Sequence, residues 1–101
     1  MYTPDKYVIL EITDKDGKTF NKVFATWMGS YLSGEEWRMN SGIVKAKDAG
    51  DRRIFHGESG SRYSCHKDSY GVAGLYNLAT LQGYLGRNPD SIKLLDSDPY
   101  D

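Results

Sequence analysis

The sequence predicts an α+β domain: one antiparallel sheet of about five strands with a single helix from the C-terminal half packed on one face. Two observations carry this reading. Short segments of alternating apolar and polar residues, separated by glycine- and aspartate-containing turns, fill the first two-thirds of the chain. The pattern then changes to helical spacing only once, over residues 72–85.

Residues 6–12 form the first expected strand, with Val8, Leu10 and Ile12 on one face and Tyr7, Ile9 and Glu11 on the other. Both faces are largely apolar, which places this strand centrally. Asp14-Lys15-Asp16-Gly17 supplies a turn, because Asp-Gly accepts positive φ at little cost. Residues 19–27 return as the second strand, with Phe20, Lys22, Phe24 and Thr26 opposite Val23, Ala25 and Trp27. Gly29 and Ser33-Gly34 mark residues 28–36 as a bending connection. Residues 37–39 and 43–46 read as one strand interrupted by a bulge near Ser41-Gly42. Residues 52–56 and 62–66 pair across the loop Gly57-Glu58-Ser59-Gly60-Ser61.

In the helical segment Leu75, Leu78, Ala79 and Leu85 form the inward stripe, Asp68 or Ser69 caps the start, and Gly86 and Pro89 end it. Residues 91–95 add a last short strand. Residues 1–95 are thus one domain, and the acidic residues 96–101 form a flexible tail. One helix covers one sheet face, so the other face needs a second cover, a partner or water.

Cys65 is the only cysteine, which precludes an intramolecular disulfide and suits a reducing, cytoplasmic compartment. The polar start Met1-Tyr2-Thr3-Pro4 carries no apolar leader, and no stretch has the length of a membrane helix. A net charge of −1 is too balanced for a generic nucleic-acid binder. The charge is unevenly placed: residues 37–67 carry seven Lys or Arg against three acids, while both ends are acidic.

Three groups of residues bear on function. The first is the helix, which has no charged residue from Ser69 to Gly86; its outward Tyr76, Asn77, Thr80 and Tyr84 have the composition of a protein interface or a homodimer contact. The second is the polar loop Ser59-Gly60-Ser61 with Arg52, Arg53, Arg62 and Lys67, a set suited to a phosphate or nucleotide, although it lacks a P-loop signature. The third is His56, Cys65 and His66, the soft ligands and nucleophiles of a metal- or Cys/His-dependent hydrolase. They supply fewer ligands than a zinc site uses, so no metal, cofactor or catalytic set is expected.

The run Ser59-Gly60-Ser61-Arg62-Tyr63-Ser64-Cys65-His66-Lys67-Asp68-Ser69-Tyr70-Gly71 resembles a segment of small phage and prophage accessory proteins and covers about an eighth of the chain. That resemblance implies a protein made in the cytoplasm of an infected bacterium. It also implies a stoichiometric binder of a host or phage factor, with inhibitors of bacterial defence among the precedents. The residues and the resemblance together lead to a non-enzymatic protein that binds and modulates a macromolecule.

Overall fold

A computed structural model describes every residue from Met1 to Asp101. The elements are β1 (Lys6–Thr13), β2 (Thr19–Trp27), β3 (Glu36–Met39), β4 (Ile43–Ala49), β5 (Arg52–Gly57), β6 (Arg62–His66), α1 (Leu75–Arg87) and β7 (Ile92–Leu94). The fold is α+β with antiparallel pairing, but the strands make two sheets instead of one. The first has the order β3-β2-β1-β7 and the second β4-β5-β6. The interruption at Ser41-Gly42 is therefore a crossing between sheets. Asn40 fixes the crossing: its backbone N–H donates to the Val23 carbonyl and its side-chain oxygen accepts from the Val23 N–H at 2.8 Å. The bulge exists, but lies further on, between Ile43 and Lys45 in the β4–β5 pairing.

Period-two alternation explains the layering. Tyr7, Ile9, Val23 and Ala25 point from the four-stranded sheet into a core completed by Phe55, Tyr63 and Cys65 of the three-stranded sheet. Val8, Leu10 and Phe24 point the other way and meet Leu81 and Ile92. The molecule is thus a stack of helix, four-stranded sheet and three-stranded sheet. The second cover is the second sheet. Full burial of a side chain such as Leu10 or Leu81 contributes about 1.5–3 kcal/mol, so both interfaces of the central sheet matter to stability.

The tail does not hang free, as its composition suggested. Asp98 is buried, accepts the Tyr7 hydroxyl hydrogen bond at 2.6 Å, and lies 3.7 Å from the Arg53 guanidinium. Asp101 pairs with the same guanidinium at 2.8 Å, and Tyr100 packs edge-on against Phe55. The tail closes the open end of the core between the sheets. Its negative charge serves to neutralise one buried arginine. No helix is long and apolar enough to cross a membrane.

Candidate functional site

The helix sits at a rotation different from the one its leucines suggest. Leu75 is 81% exposed, Tyr76 80% and Leu78 37%, whereas Asn77 is 2% exposed. The inward stripe is Asn77, Leu81, Tyr84 and Leu85. The reason lies in the carbonyls beneath. The Asn77 amide nitrogen is within 3.2 Å of the Trp27 carbonyl, 3.0 Å of the Glu36 carbonyl and 2.7 Å of the Ala73 carbonyl. These acceptors lie at the end of the β2–β3 pair and just before the helix, where no strand or helix donor is in position to serve them all. A primary amide pointing inward does so, and turns the leucines out.

The helix also takes its N-terminal cap from elsewhere. Neither Asp68 nor Ser69 caps it: the helix starts at Leu75, after Gly74, with no side-chain hydrogen bond from the cap residue and no acid in its first turn. Residues 69–71 instead run beside β1, where Tyr70 pairs with Tyr7. Glu35 reaches across instead, its carboxylate accepting from the Asn77 N–H at 2.9 Å and the Tyr76 N–H at 3.4 Å. A carboxylate at this end is favoured by the free N–H groups and by the helix dipole. Gly74 has φ of +92°, and a Cβ there would collide with the Glu35 carboxylate. The connection between β2 and β3 is pinched in turn at Gly29, whose missing Cβ makes room for the Gly34 carbonyl. Ser30 and Ser33 hydrogen-bond to each other inside the loop.

This joint presents an apolar rim at one end of the molecule. Tyr31 and Leu32 stand on the loop at 102% and 93% exposure, and Leu75 and Tyr76 stand on the adjoining first turn of α1. Further along the helix lies a groove of about 250 Å³, lined by Phe24, Trp37, Met39, Thr80, Tyr84 and Arg87. The Phe24 and Trp37 rings stack at 5.3 Å between centroids. Of the four helix residues expected at an interface, Tyr76 is on the rim and Thr80 and Tyr84 line the groove. Asn77 is corrected to a buried structural clamp.

The anion-binding set does not assemble as one site. The β5–β6 register pairs Arg52 with His66 and His56 with Arg62, so Arg52, Arg53 and Lys67 lie at the end of the hairpin opposite Ser59, Gly60, Ser61 and Arg62. Arg53 is buried and points into the core toward Asp98 and Asp101. Burial alone would lower its pKa, but the Asp101 hydrogen bond and the Asp98 charge more than offset that and raise it. Lys67 is committed to Asp48 at 2.9 Å, and that hydrogen bond, with another from the Gly50 N–H, holds the Asp48 carboxyl below its ordinary range. Arg52 lies flat across β6, donating to the Ser64 carbonyl at 3.0 Å. The loop serines bond to each other and to Ser41.

The third group is likewise dispersed. Cys65 is fully buried between the sheets, and desolvation, with the Asp98 charge second, pushes its pKa up to about 12. His56 and His66 are on the opposite face of β5–β6, separated by three residue pairs of the ladder. His66 lies 3.6 Å from Asp51 and 4.0 Å from Asp68. No three His, Cys, Asp or Glu side chains converge as a metal-binding group. Sequence reasoning missed Glu35, Tyr31 and Leu32, because each lies in a connection and gains its role only from where the helix starts. The fold defines a three-layer α+β domain with an apolar rim. No family model, curated protein or solved structure matches the chain at significant similarity.

Proposed function

We propose that the chain is a non-enzymatic binding module that docks a protein partner on the rim formed by the 28–35 loop and the first turns of α1. One observation carries this reading: the helix buries an asparagine and exposes Leu75, Tyr76 and Leu78, while Glu35 ties the loop with the exposed Tyr31 and Leu32 to the same helix end. A scattered exposed leucine is ordinary, but several large apolar side chains exposed at one end of the molecule mark an interaction surface. Tyrosines beside leucines match the composition of an interface core, and the one acid of the loop, Glu35, is taken up by the helix N–H groups. The adjoining groove between Trp37 and Tyr84 offers a recess for one partner side chain. Docking there would modulate the partner by masking its surface.

The test compares wild type with the triple substitution Tyr31→Lys, Leu75→Lys, Tyr76→Lys. All three residues are exposed, so the variant keeps its fold, checked by melting temperature. Expected is a stoichiometric protein captured from the cytoplasm of a bacterial host by wild type and released by the variant. Light scattering shows whether a second copy of the chain is that partner. Capture or self-association that survives the triple substitution would overturn the reading.

A further inference from the structure

The outer surface of the three-stranded sheet faces away from the core between the sheets, and the helix lies on the far side of the other sheet. Register and pleat decide what it carries. Phe55 pairs with Ala46 and with Tyr63, and all three face the core, so the alternate positions face out. On β4 these are Lys45, Lys47 and Ala49; on β5 Arg52, Ile54 and His56; on β6 Arg62, Ser64 and His66. No outward position on the three strands is acidic. Lys45, Lys47 and Arg62 are exposed and Arg52 half-buried, so four permanent cations and two imidazoles share one face. The acids lie at its margins: Asp51 and Asp68 beside His66, Asp48 paired with Lys67, and Glu58 in the hairpin loop.

We infer that this face binds the phosphate backbone of double-stranded nucleic acid. The composition separates the possible polyanions. Protein interface cores are depleted in Lys and enriched in Tyr, Trp and Phe, and this face has two lysines, two arginines, two histidines, one isoleucine and no Tyr, Trp or Phe. Single strands are held mainly by stacking bases on broad aromatic platforms, and this face carries no Phe, Tyr or Trp, only the imidazoles of His56 and His66. A duplex stacks its bases inside and lines its outer surface with phosphates, at one charge per about 1.7 Å of axis. Lysines two residues apart on a strand stand about 6.6 Å from each other and neighbouring strands about 4.8 Å apart, so one flat face reaches several phosphates at once. Contacts of this kind position a duplex without reading its sequence. The face lies across the central sheet from α1 and is independent of the protein-docking reading.

The experiment measures fluorescence anisotropy of a labelled mixed-sequence duplex, the matching single strand and polyglutamate of equal charge. Four cations predict a slope of log K against log salt of about −3.6 on duplex, so affinity falls about 150-fold between about 50 and about 200 mM salt. Lys45→Glu with Lys47→Glu weakens duplex binding at least about tenfold, while Leu75→Lys with Tyr76→Lys leaves it unchanged. Arg62→Gln, a milder exposed change, reduces the slope by about one and guards against a folding defect in the double variant. The inference is overturned by any one of four results: no duplex binding at low salt, equal binding of polyglutamate, preference for the single strand, or indifference to Lys45→Glu with Lys47→Glu in folded protein.

Discussion

Asn77→Ala separates the two roles that a polar residue on this helix can have. If Asn77 is a clamp, its loss is felt in stability. If it is a contact, its loss is felt in binding. The amide has two N–H donors serving three carbonyls in a site only 2% exposed. Each donor contributes about 1 kcal/mol net, and a carbonyl left buried without a partner costs a further 1 kcal/mol or more, for a total of about 2–4 kcal/mol. With a urea m-value of about 1.5 kcal/mol/M for a chain of this size, the unfolding midpoint falls by about 1.3–2.7 M. Asn77→Asp falls further, because it sets an acceptor-only carboxylate against the same carbonyls. Urea titration followed by circular dichroism reads both. A loss below about 0.5 kcal/mol for Asn77→Ala, the range of an ordinary surface substitution, would refute the clamp and the helix rotation derived from it.

Three further outcomes follow from named contacts. Asp98→Ala leaves the buried Arg53 guanidinium with Asp101 alone and removes the Tyr7 acceptor, so stability drops by about 3 kcal/mol; an unchanged urea midpoint would contradict a docked tail. Cys65, at about 12 in the fold against 9.0 ordinarily, resists iodoacetamide at pH 8 until the protein unfolds, and rapid native labelling would show that the two sheets open. Burial likewise raises Tyr7, Tyr63 and Tyr70. Groups with raised folded pKa values favour the neutral form, so their contribution is intact below the unfolded values and is lost as pH climbs through the folded ones. For Cys65 that loss begins near pH 9 and reaches about 1 kcal/mol at pH 10. Calorimetric melting from pH 7 to 11 checks it, and a flat profile would remove the buried thiol and phenols from the account.

Alternation made the faces of the first hairpin legible. Tyr7 and Ile9 do part from Val8 and Leu10, and the turn at Asp14–Gly17 gives the register that pairs Thr13 with Thr19. What alternation could not supply is the partner of each face. A strand with two apolar faces needs two covers, but nothing local in residues 43–66 says that they form a second sheet in place of an extension of the first. The basic residues were legible as a segment and not as a surface: the pleat sends Arg53 inward and Arg52 outward from adjacent positions. Glu35 and Asp98 escaped for the same reason. Each is a carboxylate whose partner is set by tertiary structure, the helix start in one case and the buried Arg53 in the other, and local capping rules look only at the residues before a helix. The helix stripe misled because its leucines fit a wheel as well as Asn77, Leu81 and Leu85 do, and only the unsatisfied carbonyls beneath decide between them.

The borrowed cap ties the two halves of the rim together. A helix with no acid in its first turn depends for its N-terminal carboxylate on a loop that also carries Tyr31 and Leu32. Moving the loop therefore uncaps the helix, and fraying the helix releases the loop. Gly74→Ala tests this coupling at its hinge, since the added Cβ displaces Glu35 and adopts an unfavourable positive φ. Together these effects cost about 1–3 kcal/mol. Glu35→Gln keeps the acceptor oxygen but removes the charge, and costs less, about 0.5–1 kcal/mol. Hydrogen exchange at the Tyr76 and Asn77 amides resolves the pair of variants: both speed up strongly in Gly74→Ala and modestly in Glu35→Gln. If the rim is the docking surface, partner affinity falls in the same order although neither substitution replaces Tyr31, Leu32, Leu75 or Tyr76. Unchanged affinity in Gly74→Ala, with those amides exchanging freely, would mean that the partner does not read the loop and the helix as one surface.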